Sequence, residues 1–368
     1  MLISHLQTIK SALQRWGDEV LVKEDIIKAW ICCHEERIRL IHKRNIVLPL
    51  VPPSGLCRLE LSSCIVTDGA LAVCLEGLTS LRSLFLKEIM TLTALPSQDV
   101  LQQLTKLQDL HVNSCWCLRS LGGLRAATGL SAISLWSCPS LDLAHGSVFL
   151  PLSLRNLHIG HCVVASDFFC NDLSHLRVLS MEWCRSSSSL SIGHLTSLIG
   201  LSLQNLQDLC FLEGLSSLQL VDVDLTYLPN VNMKCISQLR VNHYLSVSSS
   251  VMLNYLLLAE GFTVPGILGL EGCNERSFSF EESSDFSSVN CLEFQDCEIS
   301  SLPQNLKCFS CLSTLRIVGC PNISSLPDLP SSLNYLWVQD SELLKRSCQS
   351  PDGESWPKIE HVRSKYIY

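Results

Sequence analysis

The stretch LQDLHVNSC, from Leu107 to Cys115, contains the pattern that decides the fold. Apolar residues stand at its first, fourth and sixth positions, and a cysteine stands at its ninth. The same arrangement, L-x-x-L-x-L-x-x-C, returns as LSAISLWSC from Leu130 to Cys138 and as LRNLHIGHC from Leu154 to Cys162. Because residues two apart lie on the same side of a β-strand, the L-x-L part of each copy predicts a short strand with one buried face.

The pattern recurs along most of the chain, with 13 copies in total. The second apolar residue of each copy, which we call its anchor, is Leu59, Leu84, Leu110, Ile133, Leu157, Leu179, Leu201, Val221, Leu239, Leu268, Leu292, Leu315 or Leu336. The anchors are about 23 residues apart on average, within the range of leucine-rich repeats. One strand cannot bury its apolar face alone, so neighbouring copies must stack. We therefore predict an α/β-type solenoid, a leucine-rich-repeat horseshoe of about 13 repeats with a parallel concave sheet.

Cysteine closes many of the copies. Eight of the 20 cysteines stand at the ninth position: Cys64, Cys115, Cys138, Cys162, Cys184, Cys273, Cys297 and Cys320. Free cysteine behaves as a small buried apolar residue with a weak donor, which suits an inward turn beneath a strand. Adjacent strands lie close enough for disulfides, but a reducing compartment favours free thiols, which we expect here.

The two ends differ from the repeats, and three segments are expected: 1–48, 49–344 and 345–368. In the first, apolar residues at helical spacing predict an amphipathic helix over Lys23–Arg44, so this segment is a helical cap or a set of degenerate repeats. The second is the repeat domain, in which Ser246–Phe262 is expected to insert a longer connection and break the register. The third is a cap in which Trp356 and Ile359 pack over the last repeat.

Composition and missing motifs argue against several classes of function. The net charge of −8 disfavours a nucleic-acid binder, which needs a basic surface. The sequence has no G-x-x-x-x-G-K-[ST] phosphate loop and no G-x-S-x-G nucleophile turn, and HEERI at His34–Ile38 lacks the second histidine of an H-E-x-x-H zinc site. The Cys308–Cys311 pair has no second pair at the spacing of a zinc ribbon. We expect a protein that is not an enzyme and uses no cofactor.

The sequence also bears on the compartment. Its N-terminus lacks the continuous apolar core of a signal peptide. Its best membrane candidate, Tyr244–Ala259, is shorter than the roughly 20 residues that a spanning helix needs. We expect a cytoplasmic protein that is not inserted in a membrane.

A repeat protein of this kind binds through the strand residues that alternate with the anchors, because they point to the concave face. The predicted protein-binding residues are Phe85, His111, Trp136, His158, Glu182, Asp222, Asp224, Arg240, Glu293, Arg316, Tyr335 and Trp337. Exposed aromatic residues and arginine are common interface anchors, so two patches stand out. Phe85, His111, Trp136 and His158 form one, and Arg316, Tyr335 and Trp337 form the other. Alternatively, these aromatic residues only cover neighbouring strands.

Acidic residues are concentrated towards the C-terminal half. Glu182, Asp222 and Asp224 form an acidic stretch between the two patches. From Glu271 to Glu354 there are 13 acidic and 5 basic residues. This imbalance either steers a basic partner or marks a solvated flank.

From about residue 49 onward, the sequence resembles the C-terminal leucine-rich-repeat region of the grass-type intracellular nucleotide-binding disease-resistance proteins of plants. The resemblance rests on the repeats with their SLP turns, on LVPPSGLCRLELSSC at Leu50–Cys64, and most specifically on LPSSLNYLWVQDSELLKRSCQSPDGESWPKIEHV at Leu329–Val362. It implies recognition of a pathogen effector, of a guarded host protein, or of the receptor's own nucleotide-binding domain. The coiled-coil and nucleotide-binding parts of that family are missing here, so nucleotide binding is not implied.

Two other functions remain open at this stage. A substrate-recruiting adaptor of a ubiquitin ligase also uses such repeats, and it would need a ligase-docking bundle in residues 1–48. An extracellular receptor fragment would be secreted and glycosylated at Asn322, in the only N-x-[ST] sequon.

Overall fold

The computed structural model describes residues 54–141, 149–165, 173–277, 286–349 and 351–368, positions 52, 143, 168, 169, 279 and 280, and the backbone of two strands near the N-terminus. The chain forms two compact units. The first consists of Met1–Asp142 with Val148–Leu154, and the second of Leu143–Ser147 with Arg155–Tyr368. Each unit contains its own run of repeats.

The first unit stacks its strands side by side in chain order. They are β1 (Lys28–Cys32), β2 (Arg37–Ile41), β3 (Arg58–Ser62), β4 (Ser83–Lys87), β5 (Asp109–Asn113) and β6 (Ala132–Trp136). Strands β2 to β6 pair in parallel, whereas β1 pairs with β2 in antiparallel fashion. The return segments contain helices α1 (Asp68–Leu75) and α2 (Gln98–Leu101) and a 3-10 turn at Leu124–Ala126.

The second unit continues the same arrangement with more repeats. Its main strands are β7 (Asn156–Gly160), β9 (Val178–Glu182), β12 (Gly200–Gln204), β14 (Leu220–Thr226), β15 (Val241–Val247), β16 (Ile267–Glu271), β17 (Cys291–Gln295), β18 (Thr314–Val318), β19 (Tyr335–Gln339) and β20 (Ser364–Ile367), all parallel. The return segments contain the short paired strands β8 (Val163–Val164), β10 (Arg185–Ser186), β11 (Ser189–Ser191) and β13 (Phe211–Glu213). They also contain 3-10 turns at Leu215–Ser217 and Gln304–Cys308 and helices α3 (Met233–Ile236), α4 (Ser250–Leu257), α5 (Glu342–Ser347) and α6 (Trp356–Ile359).

The leucine-rich-repeat solenoid predicted from the sequence is confirmed. Leu110 pairs in register with Ile133 in the first unit, and Leu157 pairs with Leu179 in the second. All four side chains are at most 1% exposed, as a shared apolar core requires. None of the helices among the described residues is long and apolar enough to cross a bilayer.

The amphipathic helix predicted over Lys23–Arg44 is wrong where the structure describes this segment. Residues 28–32 and 37–41 are strands, and Ile38 pairs in register with the first anchor, Leu59. The sequence RIRLI alternates with period two, and pairing with the neighbouring strand overrides its weak helical spacing. Arg37–Ile41 therefore fits the alternative of a degenerate repeat. The rest of residues 1–48 lies outside the described residues.

Two anchors were also assigned wrongly. Val223 and Leu245, not Val221 and Leu239, pair in register with Leu201 and Leu268. With these anchors the repeat spacing stays regular, so the predicted break at Ser246–Phe262 is absent from the described strands there. Most of that segment is the end of β15 and helix α4. A smaller irregularity, a bulge, lies at the start of β15 instead.

The eight repeat-closing cysteines lie beneath the strands, as predicted. All are buried, and all 17 cysteines with described side chains are free thiols. The thiol of Cys184 donates to the carbonyl of Ile159 at 3.3 Å, and that of Cys297 donates to Leu270 at 3.3 Å, in each case one repeat earlier. Burial raises the pKa of Cys64 to about 11, which keeps this thiol protonated at neutral pH.

The residue after most of the main strands turns the chain into the left-handed region. Examples are His161 (φ 50°), Trp183 (φ 54°) and Tyr227 (φ 55°). The backbone N–H of His161 donates to Glu182 at 2.9 Å, and that of Trp183 donates to Gln204 at 3.0 Å. This bond to the next repeat compensates for the steric cost that a non-glycine residue has there.

The C-terminal tail adds a strand to the stack. Ile359 and Val362 are buried, whereas Trp356 is only half-buried. Strand β20 then pairs in parallel with β19, which places Tyr366 beside Trp337. The tail thus follows the repeat pattern, although the sequence was interpreted as a cap.

Candidate protein-binding surface

In the five-residue main strands from β3 onward the second and fourth residues are buried, while the first, third and fifth point away from the leucine core. We call the surface formed by these outward residues the open sheet face. It contains every predicted binding residue except one. Arg240 lies in the turn before β15 instead, where its side chain is exposed and its carbonyl accepts from the N–H of Leu220. Its misplacement follows from the wrong anchor at Leu239.

In the first unit, three side chains form a stack on this face. The guanidinium of Arg58 lies 3.8 Å from the ring centroid of Phe85. On the neighbouring strand, the His111 ring stacks on Phe85 with centroids 4.4 Å apart. Both faces of the Phe85 ring are therefore occupied, which agrees with the alternative that it covers neighbouring strands. Trp136 is half-buried at the end of β6.

His158, which the sequence grouped with Phe85, belongs to the second unit. It is exposed at the third position of β7, in register with Ser180. The predicted N-terminal patch therefore divides between the two units. Its role in binding stays a prediction for each part separately.

The acidic residues of the second unit occupy neighbouring strands of the open face. Asp222 is 57% exposed, and one of its carboxylate oxygens is hydrogen-bonded to Nδ1 of His243 at 2.8 Å. The side-chain amide of Gln204 donates to Asp224. Burial raises the pKa of Asp224 and outweighs the hydrogen bonds from Thr226 and Gln204, which lower it; the negative charge of Glu182 adds a smaller rise.

The structure adds two residues to this acidic region that the sequence did not single out. Glu271 ends β16, and its pKa is raised by burial and by the charges of Asp224, Asp296 and Glu182. Tyr244 lies on β15, in register with Asp222 on β14 and with Ile267 on β16. Burial raises the pKa of Tyr244 to about 12, with further contributions from Glu293, Asp224 and Glu271.

The residues of the predicted C-terminal patch, Arg316, Tyr335 and Trp337, lie on adjacent strands, and further aromatic side chains join them. The Arg316 guanidinium contacts the Glu293 carboxylate at 2.8 Å and lies 6.0 Å from the Trp337 ring centroid. Two further aromatic side chains surround Trp337: Tyr366 at 5.2 Å and Tyr368 at 5.4 Å between centroids. These tyrosines were missed because the tail was interpreted as a cap. The period-two alternation of SKYIY would have revealed them.

Comparison with known proteins gives matches only among solved structures. No protein-family model matches the chain, and no curated protein matches it either. An internalin from Listeria monocytogenes is 17% identical over 77% of this chain and 80% of its own, with a TM-score of 0.39. A leucine-rich-repeat protein from Leptospira interrogans is 15% identical over 85% and 84%, with a TM-score of 0.44. A chain of the mouse RP105/MD-1 complex is 12% identical over 85% and 70%, with a TM-score of 0.47.

Exposed aromatic residues also lie beside the sheet, at the left-handed turns. The rings of His161 and Trp183 stack with centroids 5.8 Å apart and planes within 2°. Trp183 is 51% exposed. Because each follows its strand directly, the pair borders the open face of the second unit. The sequence pattern does not fix the direction of a turn side chain, so this pair was not predicted.

Proposed function

We propose that this chain is a non-catalytic protein-recognition module whose open sheet face binds a partner protein. The observation that carries the proposal is the cluster of Arg316, Tyr335, Trp337, Tyr366 and Tyr368 at the end of the second unit. Tyr335 is 45% exposed and Tyr368 is 57% exposed, so their rings are available to a partner. Tryptophan, tyrosine and arginine are enriched among the few residues that contribute most of the binding energy in protein interfaces.

The kind of partner is proposed from the resemblance of the repeats and the ending to grass-type disease-resistance proteins. In plant innate immunity, the partner would be a pathogen effector, a guarded host protein, or the nucleotide-binding domain of an immune receptor. Each of these partners is met in the cytoplasm, which is where we propose that the chain acts.

Proximity labelling in grass leaf tissue, with and without pathogen challenge, tests this proposal. The full chain would be compared with Arg316→Glu and with Trp337→Ala/Tyr366→Ala, both of which alter the open face. Lys307→Ala is the control, because Lys307 is exposed on a return segment. We expect the unaltered chain and the control to label the same proteins, and the two face variants to lose them.

A variant could also lose its labelled partners because it misfolds. Circular dichroism tests this, and all four proteins should show the same spectrum and cooperative melting. Identical labelled sets for the unaltered chain and both face variants would contradict binding through this surface. Labelled proteins confined to another compartment would contradict the cytoplasmic setting.

A further inference from the structure

The open face of the second unit carries an unbalanced set of charges. Its outward strand positions from β9 to β19 contain five carboxylates, which we call the acidic strip: Glu182, Asp222, Asp224, Glu271 and Glu293. The same positions contain one guanidinium, that of Arg316. The excess of negative charge lies on one continuous parallel sheet, so the charges act together on an approaching molecule.

Three members of the strip have no lysine, arginine or histidine partner among the described residues. Asp222 is hydrogen-bonded to His243, and Glu293 forms an ion pair with Arg316. Among the residues that the structure describes, Glu182, Asp224 and Glu271 form no ion pair. Their mutual repulsion contributes to the raised pKa values of Asp224 and Glu271. A cation bound to the strip would relieve this repulsion.

A second observation at the same place indicates a missing hydrogen-bond donor. The Oδ1 atom of Asp224 is buried and has no hydrogen-bond partner of good geometry among the described residues; the hydroxyl of Thr226, whose interaction lowers the pKa of this carboxyl, is buried as well and has none either. Thr226 itself is fully buried, at 0% exposure, next to Asp224 on the same strand. Buried polar atoms without partners destabilise a fold, because they have lost their hydrogen bonds to water. A donor from outside that approaches Asp224, which is only partly buried as a residue, would remove part of this destabilisation.

The spacing of the carboxylates selects the kind of cation. Glu182, Asp224 and Glu271 lie on every second strand, about 10 Å apart across the strands, and Asp224 is offset from the other two by two residues along the strands. Within the described ranges, no three acidic, histidine or cysteine side chains approach closely enough to hold a metal ion. The residues in register with Asp224 on the neighbouring strands, Ser202, Ser246 and Gly269, are small and project less far from the sheet than the carboxylates do. Nucleic acid would be repelled by the same charges.

From this charge complementarity we propose that the acidic strip docks a basic segment of the partner protein, with lysine or arginine side chains spaced to meet successive carboxylates. The aromatic cluster around Trp337 lies two strands beyond Glu293 and supplies apolar contact at one end of the same segment. This inference rests on the proposed function and adds the chemistry of its partner.

Fluorescence anisotropy with the purified full chain tests the inference. The probe is a labelled 12-residue peptide of alternating lysine and serine, and glutamine replaces lysine in the control peptide. The strip variant carries Glu182→Gln, Asp224→Asn and Glu271→Gln. A matched variant removes three exposed acids elsewhere in the second unit, through Glu260→Gln, Asp328→Asn and Glu354→Gln. Both variants change the net charge equally.

We expect the lysine peptide to bind the unaltered chain and the matched variant with equal affinity, and to bind more weakly as salt is raised. Its affinity for the strip variant should fall about tenfold or more. The neutral replacements keep the side-chain shapes, and equal melting temperatures or a more stable strip variant would show that folding is retained. Equal loss in both variants, or equal binding of the lysine and glutamine peptides, would overturn the inference.

The two proposals fail separately. If proximity labelling identifies partners that depend on Trp337 but the lysine peptide does not distinguish the strip variant, recognition stands and the basic partner is wrong. If the peptide result holds while no protein depends on the aromatic cluster, the proposed recognition surface is wrong.

Discussion

Replacing Gly122 by alanine tests how closely neighbouring repeats pack on their return side. Gly122 has φ +55°, and a Cβ there would lie 2.1 Å from the carbonyl oxygen of Leu95 and 2.6 Å from that of Pro96. These are backbone atoms, so no rotamer change removes the clash. Gly77 is the matched control, because it has φ +75° and nothing lies within 4 Å of an added Cβ.

The comparison isolates the clash. Both replacements meet the left-handed penalty of about 1–2 kcal/mol, and both gain about 0.4–1 kcal/mol from the reduced freedom of the unfolded chain. To accommodate the new Cβ at residue 122, the two segments must separate. Separation breaks the bonds from Leu95 N to Ser120 O at 3.1 Å and from Gly123 N to Pro96 O at 2.9 Å. At about 1 kcal/mol for each bond, Gly122→Ala should be about 2 kcal/mol more destabilising than Gly77→Ala.

Urea unfolding of the full chain, followed by circular dichroism, measures the difference in midpoint, and native-state hydrogen exchange of residues 94–124 locates it. Faster exchange should be confined to this part of the first unit, because repeats interact mainly with their neighbours. If Gly122→Ala and Gly77→Ala shift the midpoint equally, the close backbone contact does not contribute as reasoned.

Two further predictions concern the core and the return side. Leu179 is fully buried, so Leu179→Ala should lower the free energy of unfolding by about 2–5 kcal/mol, whereas Ser180→Ala on the open face should stay within about 0.5 kcal/mol in the same urea titration. Burial alone would raise the pKa of Asp68, but hydrogen bonds from Thr93 and Ala94 outweigh it and lower this pKa. Ionised Asp68 therefore stabilises the fold at pH values above the pKa that this carboxyl has in the unfolded chain. The stabilisation is lost as the pH falls through the lower pKa that it has in the folded protein. Melting temperatures from pH 7 to pH 3 should fall less steeply for Asp68→Asn, and parallel curves would contradict this role.

The regular part of the fold could be predicted because each repeat contains the complete spacing of apolar residues that defines its strand. Leu110 and Ile133 belong to copies that match the pattern at every apolar position, so only one strand register is possible and it buries both side chains. The predicted anchors were wrong where the sequence is compatible with two strand registers. In LQLVDVDLTYL, apolar residues at 218, 220, 221, 223 and 225 fit two registers, and pairing of Val223 with Leu201 decides between them.

The predicted helix at Lys23–Arg44 failed for a related reason. Ile27, Trp30, Ile31, Ile38 and Ile41 repeat at helical spacing, while RIRLI also alternates with period two. A single strand gains little from alternation until a neighbour pairs with it, and Arg37–Ile41 has such a neighbour in β3. The local pattern is ambiguous, and a contact 21 residues away along the chain resolves it.

The binding surface was harder to predict than the core, because its chemistry depends on neighbours in the next repeat. The sequence identifies Phe85 and Trp337 as outward aromatic residues but does not distinguish them. In the fold, Arg58 and His111 cover both faces of Phe85, while Trp337 joins exposed tyrosines at one end of the sheet. The acidic strip arises in the same way, since Glu182, Asp224 and Glu271 are far apart in sequence and act on one another only across paired strands. A partner that lies across the strands therefore contacts a row of side chains that come from several repeats. Replacing one residue in this row changes the electrostatic potential at its neighbours.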